Sequence, residues 1–231
     1  MNRLCLNAAA SGLLALSWMA SAASAGTFAN IVIDDLYDDW AGIPVLDSDP
    51  LDNAGGVDIA DVQVANDSTY LYVRFTYHTP KSFTTYLSVD NDNNIATGYN
   101  IYGANLVGSE AAWANDFDFD QRAGFNIGTL KDPLGNPEPA NGAALLSSFV
   151  DSNTREMAIR LDSTFDPFVG PGKVFPTGSF TLLAWADGGE VSSAIPYSLA
   201  VPEPSSCILG LASFAAIAKL RRRDRSQETR A

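Results

Sequence analysis

Along the middle of the chain, apolar and polar positions alternate with a period of two, the spacing of a strand with one face in a core. In Val57 to Ala65, one face carries Ala60, Val62 and Val64. A turn at Asn66-Asp67-Ser68 follows, and Tyr70 to Tyr77 returns with Leu71, Val73, Phe75 and Tyr77 aligned. Phe83, Thr85, Leu87 and Val89 repeat the pattern. Further strands are predicted over Asn105 to Glu110, Phe117 to Phe119, Gly124 to Gly128, Leu145 to Val150, Arg155 to Leu161 and Phe180 to Ala186. Met157, Ile159 and Leu161, with Phe180, Leu182 and Ala184, take the core side, and Asn153 marks a hairpin turn. No amphipathic stretch reaches helical length; Ala111 to Asn115 is expected to add one helical turn. Lys131 to Gly142, with three prolines, reads as a surface loop. Short strands punctuated by Gly, Pro, Asn and Asp predict an all-β fold, an antiparallel β-sandwich of jelly-roll-like kind.

Both ends break this pattern. Residues 1–25 have the form of a secretory signal peptide: Arg3, an apolar run from Ala8 to Ala20, then Ala23-Ser24-Ala25 as a small-residue cleavage site. Cleavage is expected after Ala25. At the other end, residues 205–220 hold no charge before Lys219. As a helix they reach about 24 Å, enough for a single transmembrane span if Lys219 snorkels. A basic stop at 221–225, beginning Arg221-Arg222-Arg223, holds the final residues 226–231 in the cytoplasm. Cys5 and Cys207 both fall in these segments, so the body, 26–200, has no disulfide, thiolate ligand or cysteine nucleophile. At this length it is one domain.

Between body and helix stands Val201-Pro202-Glu203-Pro204, stiffened by two prolines that fix φ and remove two donors. This box, apolar helix and arginine cluster, in that order, resemble the PEP-CTERM sorting signal of Gram-negative, biofilm-forming bacteria. The resemblance implies that Pro202, Glu203 and Pro204 form the recognition box of an exosortase. It also implies that residues 205–220 hold the protein transiently in the inner membrane, before release to the cell surface or extracellular matrix.

Charge narrows the partners. The body carries 24 Asp and Glu, 20 of them Asp, against seven Lys and Arg, a net charge of −17. That excludes nucleic acid, whose phosphates require a basic surface. Short aspartates also suit loop cation sites. Asp90-x-Asp92-x-Asn94 follows a strand directly, so that alternate side-chain oxygens converge as a hard cation requires. Asp90, Asp92 and Asn94 are therefore the candidate calcium ligands, with Asp58 or Asp61 as a further contributor; a solvated Asn/Asp turn is the alternative. Ile95 and Ile101 at the sixth and twelfth loop positions exclude an EF-hand.

Glu110 and Asp116-x-Asp118-x-Asp120 form a second acidic group, whose alternation with Phe117 and Phe119 puts the aspartates on an outward face. No apolar pocket accompanies them, so they read as a solvent face or second cation site, not as catalytic carboxyls. Tyr70, Tyr72 and Arg74 share the non-core face of one strand, and Tyr86 has the same outward parity on the next; together they are the candidate sugar-stacking platform. Trp40 is the expected core tryptophan and Trp113 the expected exposed one. No nucleophile–base pair is evident, and the body holds one histidine, His78. An enzyme is not expected.

The body's opening, Asp34-Asp35…Asp38-Asp39-Trp40-Ala41-Gly42-Ile43-Pro44, is similar to the start of β-sandwich modules related to family-9 carbohydrate-binding modules and DOMON-like domains. Three further pieces fit in order: Asp58 to Val73, Leu87 to Tyr99, and Glu156 to Leu161. The resemblance implies a non-catalytic module of this fold with diverse ligands. Two functions stay open: a surface or matrix protein that binds polysaccharide with calcium, or a structural acidic matrix protein without a dedicated sugar site.

Overall fold

Strand β3 (Ile59–Asn66) and strand β4 (Tyr70–Tyr77) form the hairpin that the alternation predicts, paired from Asn66↔Leu71 to Ile59↔Tyr77. The structure, a computed structural model, describes residues 24–202 except 54, 115–116, 133, 135–143 and 147–150. The other strands are β1 (Ser24–Ala25), β2 (Val45–Ser48), β5 (Thr85–Asp90), β6 (Ala111–Ala114), β7 (Phe117–Asp120), β8 (Ala144–Leu146), β9 (Thr154–Arg160), β10 (Ser179–Ala186), β11 (Glu190–Val191) and β12 (Ile195–Ser198). They build two sheets. One runs β2-β3-β4-β9-β8; the other runs β1-β12-β10-β5-β6-β7, with β11 added to β10. All pairs are antiparallel except β1 with β12.

The sheets face each other across a shared core. Val62, Val64, Leu71, Val73, Phe75 and Ile159 from one meet Leu87, Val89, Trp113, Phe180 and Leu182 from the other. These are the inward positions of the strand period. Each sheet also carries a small apolar cluster on its outer face. The strap preceding β2 lays Ile31, Trp40 and Ile43 over Ala65, Tyr72 and Ala158. On the opposite side, the connection between β5 and β6 lays Ile101 and Val107 over Leu183 and Trp185. The strap is fastened by buried Glu156 on β9. Its Oε2 accepts from Trp40 Nε1 at 2.9 Å, and its Oε1 accepts the main-chain N–H groups of Asp34 and Asp35.

Several expected elements are corrected. Ala111–Ala114 is a strand and not a helical turn, because the pairing of β6 with β5 claims its backbone donors. Asn105 to Glu110 and Gly124 to Gly128 are loop, held by single bridges Tyr99↔Ser109 and Asp120↔Gly128. A bulge between Ile59 and Asp61 shifts the period, so Ile59 takes the core position expected of Ala60. Trp113 lies fully in the core, not at the surface, and Phe83, before β5 begins, is exposed.

Asn66, at the end of β3, joins both ends of the body. Its main chain pairs with Thr27 and Ala29, while its side chain bonds the main-chain N–H and C=O of Ala200 and the Tyr197 hydroxyl. Asn66 is thus sealed in this junction, and the turn that follows it closes with Asp67 N donating to Tyr70 O. Residues 1–23 and 203–231 lie outside the described residues, so most of the signal peptide, Glu203, Pro204, the apolar helix and the basic stop are not described; Pro202 is, and is exposed. Among the described residues no helix is long and apolar enough to cross a membrane.

Candidate functional site

Outward-facing side chains at one end of the β10–β5 pair form an aromatic surface. Trp185 on β10 stacks on Tyr86 of β5, its cross-strand partner, with centroids 4.1 Å apart and planes 10° from parallel. Trp185 is held in place by an Nε1–H bond of 2.8 Å to Ser88 Oγ. The β5–β6 connection brings Tyr102 edge-on to Trp185 at 5.4 Å, and the loop after β7 brings Phe125 to 6.3 Å. Tyr99 meets Phe125 from the other side. Tyr99, Ile101, Tyr102, Phe125, Trp185 and Asp187 line a groove of about 160 Å³. Phe125 and Tyr102 are each 50% exposed. Such ring faces and edges can stack on apolar CH surfaces, while Asp187 and tyrosine hydroxyls supply hydrogen-bonding groups beside them. Burial, followed by the Asp187 charge, raises the Tyr86 and Tyr102 hydroxyls above the usual phenol range; the Tyr102 hydroxyl donates to Ala186 O and keeps its lone pairs for a ligand. Two roomier hollows, about 390 and 320 Å³, meet at Lys173; their walls offer one ring, Phe165, between them.

The connection that carries Tyr99 and Tyr102 is closed at its base by the acidic loop. Tyr99 and Ser109 exchange both main-chain hydrogen bonds, and Gly98, at φ +65°, lets this neck close: a Cβ there would lie 2.4 Å from Ser109 O. Beneath the neck, Asp90, Asp92 and Glu110 bring carboxylate oxygens within 4.8 Å of one another. Asp90 accepts N–H groups from Asn94 and Gly108; Asp92 accepts from Asn94 N and Thr97 Oγ1. Glu110 Oε2 accepts from Asn91 N, while its buried Oε1 has no hydrogen-bond partner. Burial first, then Asp92 and Asp90, pushes the Glu110 carboxyl up to about 7.

The sequence-predicted residues are thus partly regrouped. Asp90 and Asp92 lie together, and Asn94 donates its main-chain N–H to both while its side-chain oxygen accepts from Ala96 N. Glu110 joins them; its signal was position alone, at the strand start where the excursion from Asp90 returns. Asp58 and Asp61 are on the other sheet, Asp61 bonded to Ser48 and Thr76. The platform of Tyr70, Tyr72, Arg74 and Tyr86 does not exist as one surface. Tyr70, Tyr72 and Arg74 lie on β4 and Tyr86 on β5, outward from opposite sheets. The strap covers Tyr72, which is 3% exposed and donates to Asp67, while Arg74 sits over Tyr37 and bonds Gln63. Only Tyr86 belongs to the aromatic groove. On β7 the expected parity is reversed: Phe117 is exposed, while Asp118 and Asp120 point inward, to Leu130 N and to Arg122.

No family model matches the sequence, and no curated protein matches it. Among solved structures, the chain is similar to a family 9 carbohydrate binding module from Caldicellulosiruptor kristjanssonii in complex with cellotriose. The TM-score is 0.44 at 10% identity, over 78% of this chain and 94% of that one. A structure of such a module from the same organism with glucose gives 0.41 at 12% identity, over 78% and 97%.

Proposed function

We propose that this chain is an exported, PEP-CTERM-sorted surface or extracellular-matrix protein whose sandwich binds polysaccharide without catalysis at the Trp185 groove. The observation that carries the binding site is that half-exposed Phe125 and Tyr102 flank a fixed Trp185–Tyr86 stack, a preformed apolar wall with polar groups at its margin. Sugars present CH faces that such rings cover, and hydroxyls that Asp187 and the phenols can bond. Export rests on the signal-like residues 1–25, and sorting by an exosortase on Pro202-Glu203-Pro204 with the apolar 205–220 segment and its arginines. A body with no cysteine and one histidine favours a binding role over a catalytic one.

Calcium belongs to the same proposal. Asp90, Asp92 and Glu110 offer an all-oxygen donor set, with the free Glu110 Oε1 as a ligand lacking any other partner. An ion there would neutralise repelling carboxylates and fasten the neck of the connection that delivers Tyr99 and Tyr102 to the groove.

A glycan array and affinity electrophoresis on the full chain test the reading. Loss of one stacking ring removes about 0.5–1.5 kcal/mol, so Tyr102→Ala or Phe125→Ala should weaken a bound polysaccharide roughly 2–10-fold, and the pair about tenfold or more. Equal binding by wild type and double variant would refute the groove. No binding to any glycan would instead favour a structural acidic matrix protein, which the body's charge of −17 supports.

A further inference from the structure

A second acidic group stands at the far end of the sandwich. Asp90 pairs with Thr181 at one end of the β5–β10 ladder, whereas Glu190 follows the other end, where Thr85 pairs with Ala186. Asp49 and Asp52 from the β2–β3 connection place carboxylate oxygens within 4.8 Å of each other and of Glu190. Asp58, immediately before β3, is 0% exposed. Its Oδ2 accepts the N–H groups of Asp52 and Asn53, but its buried Oδ1 has no hydrogen-bond partner. That atom lies 3.8 Å from His78 Nε2, beyond hydrogen-bond reach, and this nitrogen contacts Asp49 O at 2.8 Å. Among the described residues no lysine or arginine pairs with any of the four carboxylates.

We propose that Asp49, Asp52 and Glu190, with the unpaired Asp58 carboxylate behind the Asp52 loop, form a second calcium site, one that clamps the two sheets together. Asp49, Asp52 and Asp58 belong to the β2–β3 side and Glu190 to β11, so one ion would join elements of both layers. The layers already touch here: Ile59 N donates to Glu190 Oε1 at 3.2 Å and Ser193 N to Asp47 Oδ2 at 3.1 Å. Carboxylates gathered without a compensating charge repel, and burial of such a group is unfavourable. Accordingly burial, then Asp49, Asp58 and Asp52, pushes the Glu190 carboxyl up to about 7. An oxygen-only set of several carboxylates at a loop suits a hard, large divalent ion over a thiophilic or octahedrally strict one. The site is independent of the sugar-binding reading.

Calorimetric titration of the calcium-stripped full chain with calcium chloride tests the clamp. Wild type is expected to take up two ions. Asp52→Asn, at an exposed side chain, should weaken one of them tenfold or more and leave the other; Glu110→Gln should do the converse. In the Glu110→Gln chain, calcium should still raise the melting temperature by several degrees, and adding Glu190→Gln should remove that rise. If Glu190→Gln fails to fold, the Asp52→Asn isotherm decides. An unchanged isotherm for Asp52→Asn would overturn the clamp, as would loss of all calcium heat on Glu110→Gln. Wild type that takes up no calcium refutes both ion sites and leaves the groove to its own test.

Discussion

The Glu156→Ala chain should fail to hold its native outer strap, with a stability loss of about 3–5 kcal/mol. One buried carboxyl accepts three donors: Trp40 Nε1 and the N–H groups of Asp34 and Asp35. Alanine strands all three, and it frees the segment that buries Ile31, Trp40 and Ile43 against β3, β4 and β9. Domains of this size have about 5–15 kcal/mol in total, so the loss is a large fraction of the fold. Glu156→Gln separates the causes. Its amide oxygen can still accept Asp34 N and Asp35 N, while its NH₂ group meets the Trp40 N–H donor to donor, so it should cost only one bond, roughly 1–2 kcal/mol. Urea melts followed by tryptophan fluorescence measure both. Equal midpoints for wild type and Glu156→Ala would show that the strap contributes nothing.

Asp118 makes the second large effect, a pH dependence. Its carboxyl is buried in the core side of β7, and burial pushes it up to about 7 against the opposing help of Leu130 N–H and Lys131. The ordinary value, 3.8, stands for the unfolded chain. Folded protein therefore holds this proton more tightly than unfolded protein. The penalty is present in full above pH 7, declines as pH falls through 7, and is gone below about 4. Stability should rise on acidification across that window, by on the order of 2–4 kcal/mol from this group. A body at −17 also gains from acid through reduced self-repulsion, so the informative quantity is the difference between wild type and Asp118→Asn. Asp118→Asn keeps an acceptor for Leu130 N–H, and should be the more stable of the two at pH 8 and lose most of that advantage at pH 5. Parallel melting curves at both values would contradict this.

Asp118 also shows where the sequence stopped being legible. Phe117-Asp118-Phe119-Asp120 has the right period but no label saying which face is inside. Hydrophobicity argued for the phenylalanines, yet the buried acceptors were needed by Leu130 N–H and Arg122, and the phenylalanines went outward. Where a run had a decisive apolar face, as in Leu71, Val73, Phe75 and Tyr77, the core was read correctly. Trp40 was read correctly too, because the Asp-Asp-Trp segment precedes an aliphatic strand. The aromatic platform failed for a different reason, and the acidic site was read incompletely. Tyr72 and Tyr86 share an outward parity on successive strands, but β4 and β5 enter different sheets, and parity is local while sheet membership is not. Glu110 lies 20 positions from Asp90, and the pairing of β5 with β6, with Val89 opposite Ala111, makes them neighbours.

The Asn66 junction has a mechanical consequence. Thr27 to Ala29 and Ala200 are fastened to Asn66, and β1 pairs with β12 beside them, so a tug on the two ends of the body pulls against this one junction. The junction joins the two layers, since Asn66 ends β3 while Tyr197 lies on β12. A pull on both ends would load that junction first, and the groove around Trp185 lies toward the other end of β10, away from it.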